Sequence, residues 1–170
     1  MGSIKFCLDF QEDHKGLLFD GSNLEIEDLD LFGFISNLEN PKSVLEHSRN
    51  FKEEGNTSFR EGDFDGALEK YNLSCVFLSC LTLQKEDVRT FFLHLSSSVV
   101  LNMASTLLKK KEFQHVGQLC SIVLSYNPKN VKALFLRAKA AIGLDKYELA
   151  CWDLRVAQDV EPSNQEVARN

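Results

Sequence analysis

The sequence predicts an all-α protein made of three helix–turn–helix repeats. Three observations carry this. A short pattern recurs, in which an aromatic residue is followed by a small or apolar residue three positions on and an apolar or aromatic one seven on: Phe64, Ala67, Tyr71; Phe113, Val116, Cys120; Tyr147, Ala150, Leu154. A small residue stands nine positions before each aromatic: Gly55, Ala104 and Ala138. Phe113 and Tyr147 lie 34 residues apart, as do Pro128 and Pro162. Each proline closes an apolar helical stretch, where a residue without an N–H stops the helix. Phe64 and Phe113 are 49 apart, one period plus 15 inserted residues.

The elements follow in order. Ser43 with Glu46, behind Pro41, reads as a capping box, so the first helix is expected from about 43 to 61. Its interior holds Gly55, at a helix-propensity cost of about 1 kcal/mol. Close approach of a second helix offsets that cost, and Ala104 and Ala138 fit the same need, as do Ala67 and Ala150 on the partner helices, with Val116 a looser fit. The second helix begins near 64 and continues past Cys80; LQKED at 83–87 is a polar break; 88–111 reads as one long helix. Helices near 113–126, 130–143 and 146–160 complete three pairs.

A 34-residue helix–turn–helix period with small, aromatic and proline punctuation resembles the tetratricopeptide repeat. The resemblance covers about residues 43–165, with repeats at 48–82, 97–130 and 131–164 and an insertion at 83–96. Residues 1–42 form an acidic leader and 166–170 a tail. What the resemblance implies is a right-handed superhelix of stacked pairs, whose first helices line the concave side. Such a stack normally needs a seventh helix over its last apolar face. Only SNQEVARN remains, a short or truncated cap, so Leu149, Trp152 and Val156 are expected to be partly exposed unless Trp152 packs within its own repeat.

Lys52 and Asn56 are four apart, so they share a helix face. Asn102 stands two residues before Ala104, and Lys132 six before Ala138. This set resembles the two-carboxylate clamp of repeat domains in the large immunophilins, in the organising co-chaperone of the heat-shock system and in the aryl-hydrocarbon-receptor-interacting proteins. There the groove holds the C-terminal Glu-Glu-Val-Asp tail of the 90-kDa or 70-kDa heat-shock chaperones. The resemblance therefore implies a co-chaperone-like adaptor with Lys52, Asn56, Asn102 and Lys132 as carboxylate ligands. One member departs: the family's arginine would fall at 136, where this chain has Leu136, and the arginine stands at 137 instead. A charge-assisted hydrogen bond is worth about 1.5–3 kcal/mol, so its loss would weaken tail binding about tenfold to a hundredfold. Lys139, seven after Lys132, is expected to restore the missing charge, and Lys109, seven after Asn102, to meet acids upstream in the tail. The alternative is a repeat scaffold for another peptide or helical partner, its clamp degenerate at Leu136.

Composition narrows the remaining classes. The chain has 170 residues, 44% apolar and 26% charged, as in ordinary soluble proteins. Residues 1–47 hold three Lys and ten Asp or Glu, while the rest is near neutral, so nucleic acid is not an expected partner. No apolar run approaches the roughly 18 residues that span a bilayer, and the start, MGSIKFCLDF, does not read as a secretory signal. A soluble, cytoplasmic protein is expected. The five cysteines, without Cys-x-x-Cys spacing, read as buried reduced thiols. His14, His47, His94 and His115 show no metal-ligand spacing, and His94 reads as a helix-packing residue. With no Gly-x-Ser-x-Gly, no phosphate loop and no β-rich prolyl-isomerase stretch, no enzyme, metal or cofactor is expected. In the leader, LEIEDLDLFGFISNL alternates acids and apolar residues. It reads as an arm that folds on a partner, as a competitor for the basic groove, or as a cover for the first repeat. A further protein partner is expected through this leader or the uncapped last repeat.

Overall fold

The computed structural model of the chain describes residues 41–79 and 86–162. Within them lie six helices: α1 (Pro41–Glu61), α2 (Phe64–Ser79), α3 (Glu86–Lys109), α4 (Phe113–Tyr126), α5 (Val131–Gly143) and α6 (Tyr147–Val160). No strand occurs among the described residues. The architecture is thus all-α, as the period of the sequence requires. Residues 1–40 of the leader, residues 80–85, where the second helix is expected to continue past Cys80 into the polar break, and the 163–170 end lie outside the described residues. The chain divides into two compact units within α3, Met1–Val99 and Val100–Asn170, and each is taken by itself.

In the first unit α1 packs along α2. The buried face of α1 carries Val44, Leu45, Ser48 and Gly55, and that of α2 carries Ala67, Tyr71, Ser74, Val76, Phe77 and Leu78. At Gly55 the Tyr71 ring of α2 lies against α1. A Cβ there would sit 2.7 Å from Tyr71 Cε1, nearer than two carbons can pack. At the other end Ser48 and Ser74 bridge the helices: their hydroxyls lie 2.8 Å apart, and Ser74 Oγ donates to the Ser48 carbonyl at 2.8 Å. Small hydroxyl side chains let the backbones approach while satisfying their own polar atoms. His47 stacks on Phe77 with the ring planes 7° apart, and Phe51 tilts against the same ring. Helix α1 starts at Pro41, so Ser43 lies inside its first turn and is not the cap. Proline at the first helical position has φ already set for the helix and loses no hydrogen bond, which moves the start two residues upstream.

In the second unit α4 packs on α5, and α5 on α6. Val116, Leu119, Cys120 and Val123 supply the face of α4; Ala133, Leu134, Leu136, Ala138 and Ala141 that of α5; Ala150 and Ala157 that of α6. Asn130 caps α5, its side-chain oxygen accepting from the Ala133 N–H at 2.9 Å. A Cβ on Gly143 would lie 2.7 Å from the Phe113 ring, so this glycine too marks a close approach.

The three turns between paired helices are copies of one another. Gly62, Lys111 and Asp145 each stand two residues before the repeat's aromatic, and each has φ near +60 to +85° (85, 63 and 58°). The following N–H reaches back to a helix carbonyl in each: Asp63 to Ser58, Glu112 to Leu107 and Lys146 to Ala141, at 3.0, 2.9 and 2.8 Å. This closes the orphan carbonyls of a helix end and needs one left-handed residue. Glycine supplies it once; lysine and aspartate supply it twice under strain.

Two sequence expectations fail here. Cys151 is exposed, although Cys120 is buried. Burial pushes the Cys120 thiol up to about 12, so it is inert. His94 is exposed as well, because Leu95 and Ser96 take the buried side of that turn.

Candidate functional site

Lys52 and Asn56 lie one turn apart on α1, both half-buried. Between them stands Glu53. Lys52 Nζ lies 3.1 Å from Glu53 Oε1, and Asn56 Nδ2 donates to Glu53 Oε2 at 3.0 Å. The pair therefore already holds a carboxylate by both of its oxygens. Asn56, then Lys52, keep the Glu53 carboxyl below the ordinary glutamate value. Asn56 is oriented from behind: Tyr71 of α2 donates its hydroxyl to Asn56 Oδ1 at 2.8 Å. With its oxygen so occupied, the amide presents its N–H groups outward. The Gly55 contact that admits the Tyr71 ring thus also sets the direction of the neighbouring asparagine.

In the second unit Lys132, on the first turn of α5, donates to Asn102 Oδ1 on α3 at 2.7 Å. Asn102 is half-buried and Lys132 exposed. This bond occupies the Asn102 amide oxygen, as Tyr71 occupies that of Asn56. So Lys132 touches Asn102 directly, whereas Lys52 and Asn56 meet through the Glu53 carboxylate.

Leu136 is only 7% exposed, a core residue of α5. Arg137 turns to α6, where Nε and Nη2 each donate to a carboxylate oxygen of Asp153 at 2.7 Å, and Nη1 donates to Ser121 Oγ of α4 at 3.1 Å. Asp153 is fully buried. The Asp153 hydrogen bonds raise the guanidinium above its ordinary value, so Arg137 stays charged. Lys139 is exposed and sits over Phe135, its nitrogen 4.2 Å from the ring centroid. Lys109 is exposed in the last turn of α3. Among the described residues no cluster of His, Cys, Asp and Glu could hold a metal ion, and no helix is long and apolar enough to cross a membrane.

The Arg137–Asp153 fork is the feature that sequence reading missed. Its trace was present: Arg137 precedes the small residue of its repeat by one, and Asp153 follows the aromatic by six. The same two positions in the first repeat are Glu54 and Lys70, which pair at 3.0 Å with reversed charges. In the middle repeat they are Met103 and Leu119, both buried.

Known proteins agree with this architecture. The C-terminal repeat-containing domain of a putative FK506-binding protein of Plasmodium falciparum matches with a TM-score of 0.71 at 24% identity, over 79% of this chain and 89% of that one. The first tetratricopeptide domain of Spaghetti (RPAP3), solved with the HSP90 peptide SRMEEVD, matches with a TM-score of 0.59 at 23% identity, over 73% of this chain and 86% of that one. The fold is that of a tetratricopeptide-repeat domain. In sequence, this repeat domain is 32% identical over 119 residues to aryl-hydrocarbon-interacting protein-like 1 of Pan paniscus, covering 68% of this chain and 31% of that protein. The chain spans about a third of the length of such curated relatives. No protein-family model matches it.

Proposed function

We propose that this tetratricopeptide domain is a non-enzymatic, co-chaperone-like adaptor. Its ligand is an acidic peptide ending in a free carboxylate, of the Glu-Glu-Val-Asp type found on 90-kDa or 70-kDa heat-shock chaperones. Lys52, Asn56, Asn102 and Lys132 are its carboxylate ligands, with Lys109 and Lys139 as auxiliary cations. One observation carries the reading: Lys52 and Asn56 grip both oxygens of the Glu53 carboxylate, so the pair has the geometry and donors for the group proposed as ligand. A structural neighbour bound to an HSP90 peptide adds support at the level of fold.

An incoming tail must displace Glu53. Titration calorimetry with a Glu-Glu-Val-Asp peptide tests this: binding should collapse for the C-terminal amide and weaken with salt. Lys52→Ala and Lys132→Ala should each lower affinity about tenfold or more, the scale of one charge-assisted bond. Glu53→Gln, which removes the competing carboxylate, should tighten binding. Equal affinity for acid and amide peptides would end the reading.

A second reading has its own support. Leu136 is buried and Arg137 is committed to Asp153, so the fifth donor of the clamp is missing and neighbouring side chains are already engaged. A scaffold for a different peptide would then bind the amide and the acid alike.

A further inference from the structure

We propose that the cleft bordered by α4, α5 and α6 is a second peptide-binding site, for an internal acidic segment with an apolar residue beside the acid. The cleft lies wholly in the second unit and measures about 400 Å³, within the range of known ligand sites. Its floor is Arg137, Ala140 and Ala141 of α5; its walls include Ser121 and Gln118 of α4 and Lys146 and Leu149 at the start of α6. It is separate from the carboxylate pair at Lys132: Arg137 is five residues along the same helix, about 140° around it.

Three features give the site its chemistry. A guanidinium has five N–H groups; Asp153 takes two of those of Arg137 and Ser121 a third. Two remain on a residue that lines the cleft, held rigid by the buried fork. No carboxylate lines the cleft. Asp153, beneath, offsets the charge of Arg137, and Lys146 leaves the lining net positive. Leu144 and the exposed Leu149 add apolar surface next to these donors. Charge complementarity therefore favours a carboxylate, and the leucines favour an aliphatic neighbour to it.

The third feature is Gly117. Glycine weakens a helix interior relative to alanine, and at Gly55 and Gly143 close packing explains it. At Gly117 a Cβ would meet nothing within 4 Å, yet this residue lines the cleft. Its absent side chain keeps the cleft open.

The test uses acetyl-Asp-Leu-Glu-Leu-Asp-amide, which has no free C-terminus and so bypasses the clamp. Backbone amide NMR of the full chain should show saturable shifts confined to residues 114–121 and 137–149. Gly117→Leu, which fills the cleft and favours the helix, should abolish them while raising the melting temperature. Lys146→Glu, an exposed change, should weaken binding at least tenfold, whereas Lys52→Ala should leave it unchanged. Replacing the three acids of the probe by alanine should abolish binding. The proposal is overturned if no shifts appear at millimolar probe, if Lys146→Glu binds like the parent, or if acetate alone gives the same shifts at the same concentration.

Discussion

The α1–α2 pair and the α5–α6 pair occupy equivalent positions in the repeat, yet they are closed by different chemistry. In the first, two serine hydroxyls and a tyrosine-to-asparagine bond join the helices, and Gly55 lets the Tyr71 ring lie against the α1 backbone. In the second, alanines at 138, 141 and 150 bring the helices together and a buried Arg137–Asp153 fork locks them. The position that carries this fork carries Glu54 and Lys70 in the first pair, the glutamate exposed and the lysine partly so, joined by one contact. The repeat therefore fixes where two side chains meet, not what they are. Burial decides how much the meeting matters: an exposed pair is worth about 0–1 kcal/mol, while breaking a buried one costs about 3–5 kcal/mol.

The largest test of this contrast is Asp153→Ala. It strands the Arg137 guanidinium among helices and should cost about 3–5 kcal/mol in a denaturant unfolding series. Replacing the pair together, with methionine at 137 and leucine at 153 as in the middle repeat, should recover most of the loss; failure to recover would mean that the fork does more than fill its position. Next comes Gly55→Ala. Intrinsic propensity favours alanine, but the new methyl would enter the Tyr71 ring, so a loss of about 1–3 kcal/mol is expected. The clash also displaces the tyrosine that orients Asn56, so peptide affinity should fall with stability.

Smaller effects come from the turns. Lys111→Gly should stabilise by about 1 kcal/mol, because a left-handed lysine is strained where glycine is not. Asp145→Gly should gain less: Tyr147 donates its hydroxyl to Asp145 Oδ1 at 2.6 Å, and that bond would be lost. Lys70→Ala, the counterpart of the first variant, should move stability by less than about 1 kcal/mol and only at low salt. The smallest effect is electrostatic. Glu53 titrates below an ordinary glutamate in the folded chain. Its pairing thus contributes above the ordinary value and is lost as pH falls through the lowered one. Carboxyl NMR should show Glu53 titrating nearer to an ordinary glutamate in Lys52→Met.

Much of this was legible in advance for a definite reason. Small residues at 55, 104 and 138 and aromatics at 64, 113 and 147 are contact positions that recur with the period, so spacing alone places the helices and pairs them. The observed bounds of α4, α5 and α6 fall within a residue of the expected ones, where Pro128 and the cap at Asn130 punctuate the chain. Trp152, at 66%, is exposed, as expected for that face of the last repeat. The start of α1 was misplaced because a proline and a capping pattern sat two residues apart and both suit a helix beginning. The candidate ligands were named by register, but their partners were not: Glu53 lies between Lys52 and Asn56 on one helix, whereas Tyr71 and Asp153 reach their partners from another.

By itself the sequence determined the helical class, the bounds of the described helices to within a few residues and the residues that stand at each repeat position, because a period of 34 residues with small and aromatic markers fixes which side chains recur on one face. Tertiary structure alone decided which way Asn56 and Asn102 turn their amides, that Arg137 is spent on a buried aspartate, and that Gly117 opens a cleft where Gly55 closes a contact. Those outcomes depend on distances of 3 Å or so between atoms far apart in the chain, and hydrogen bonds and steric contacts fall off too steeply with distance for residue spacing to report them.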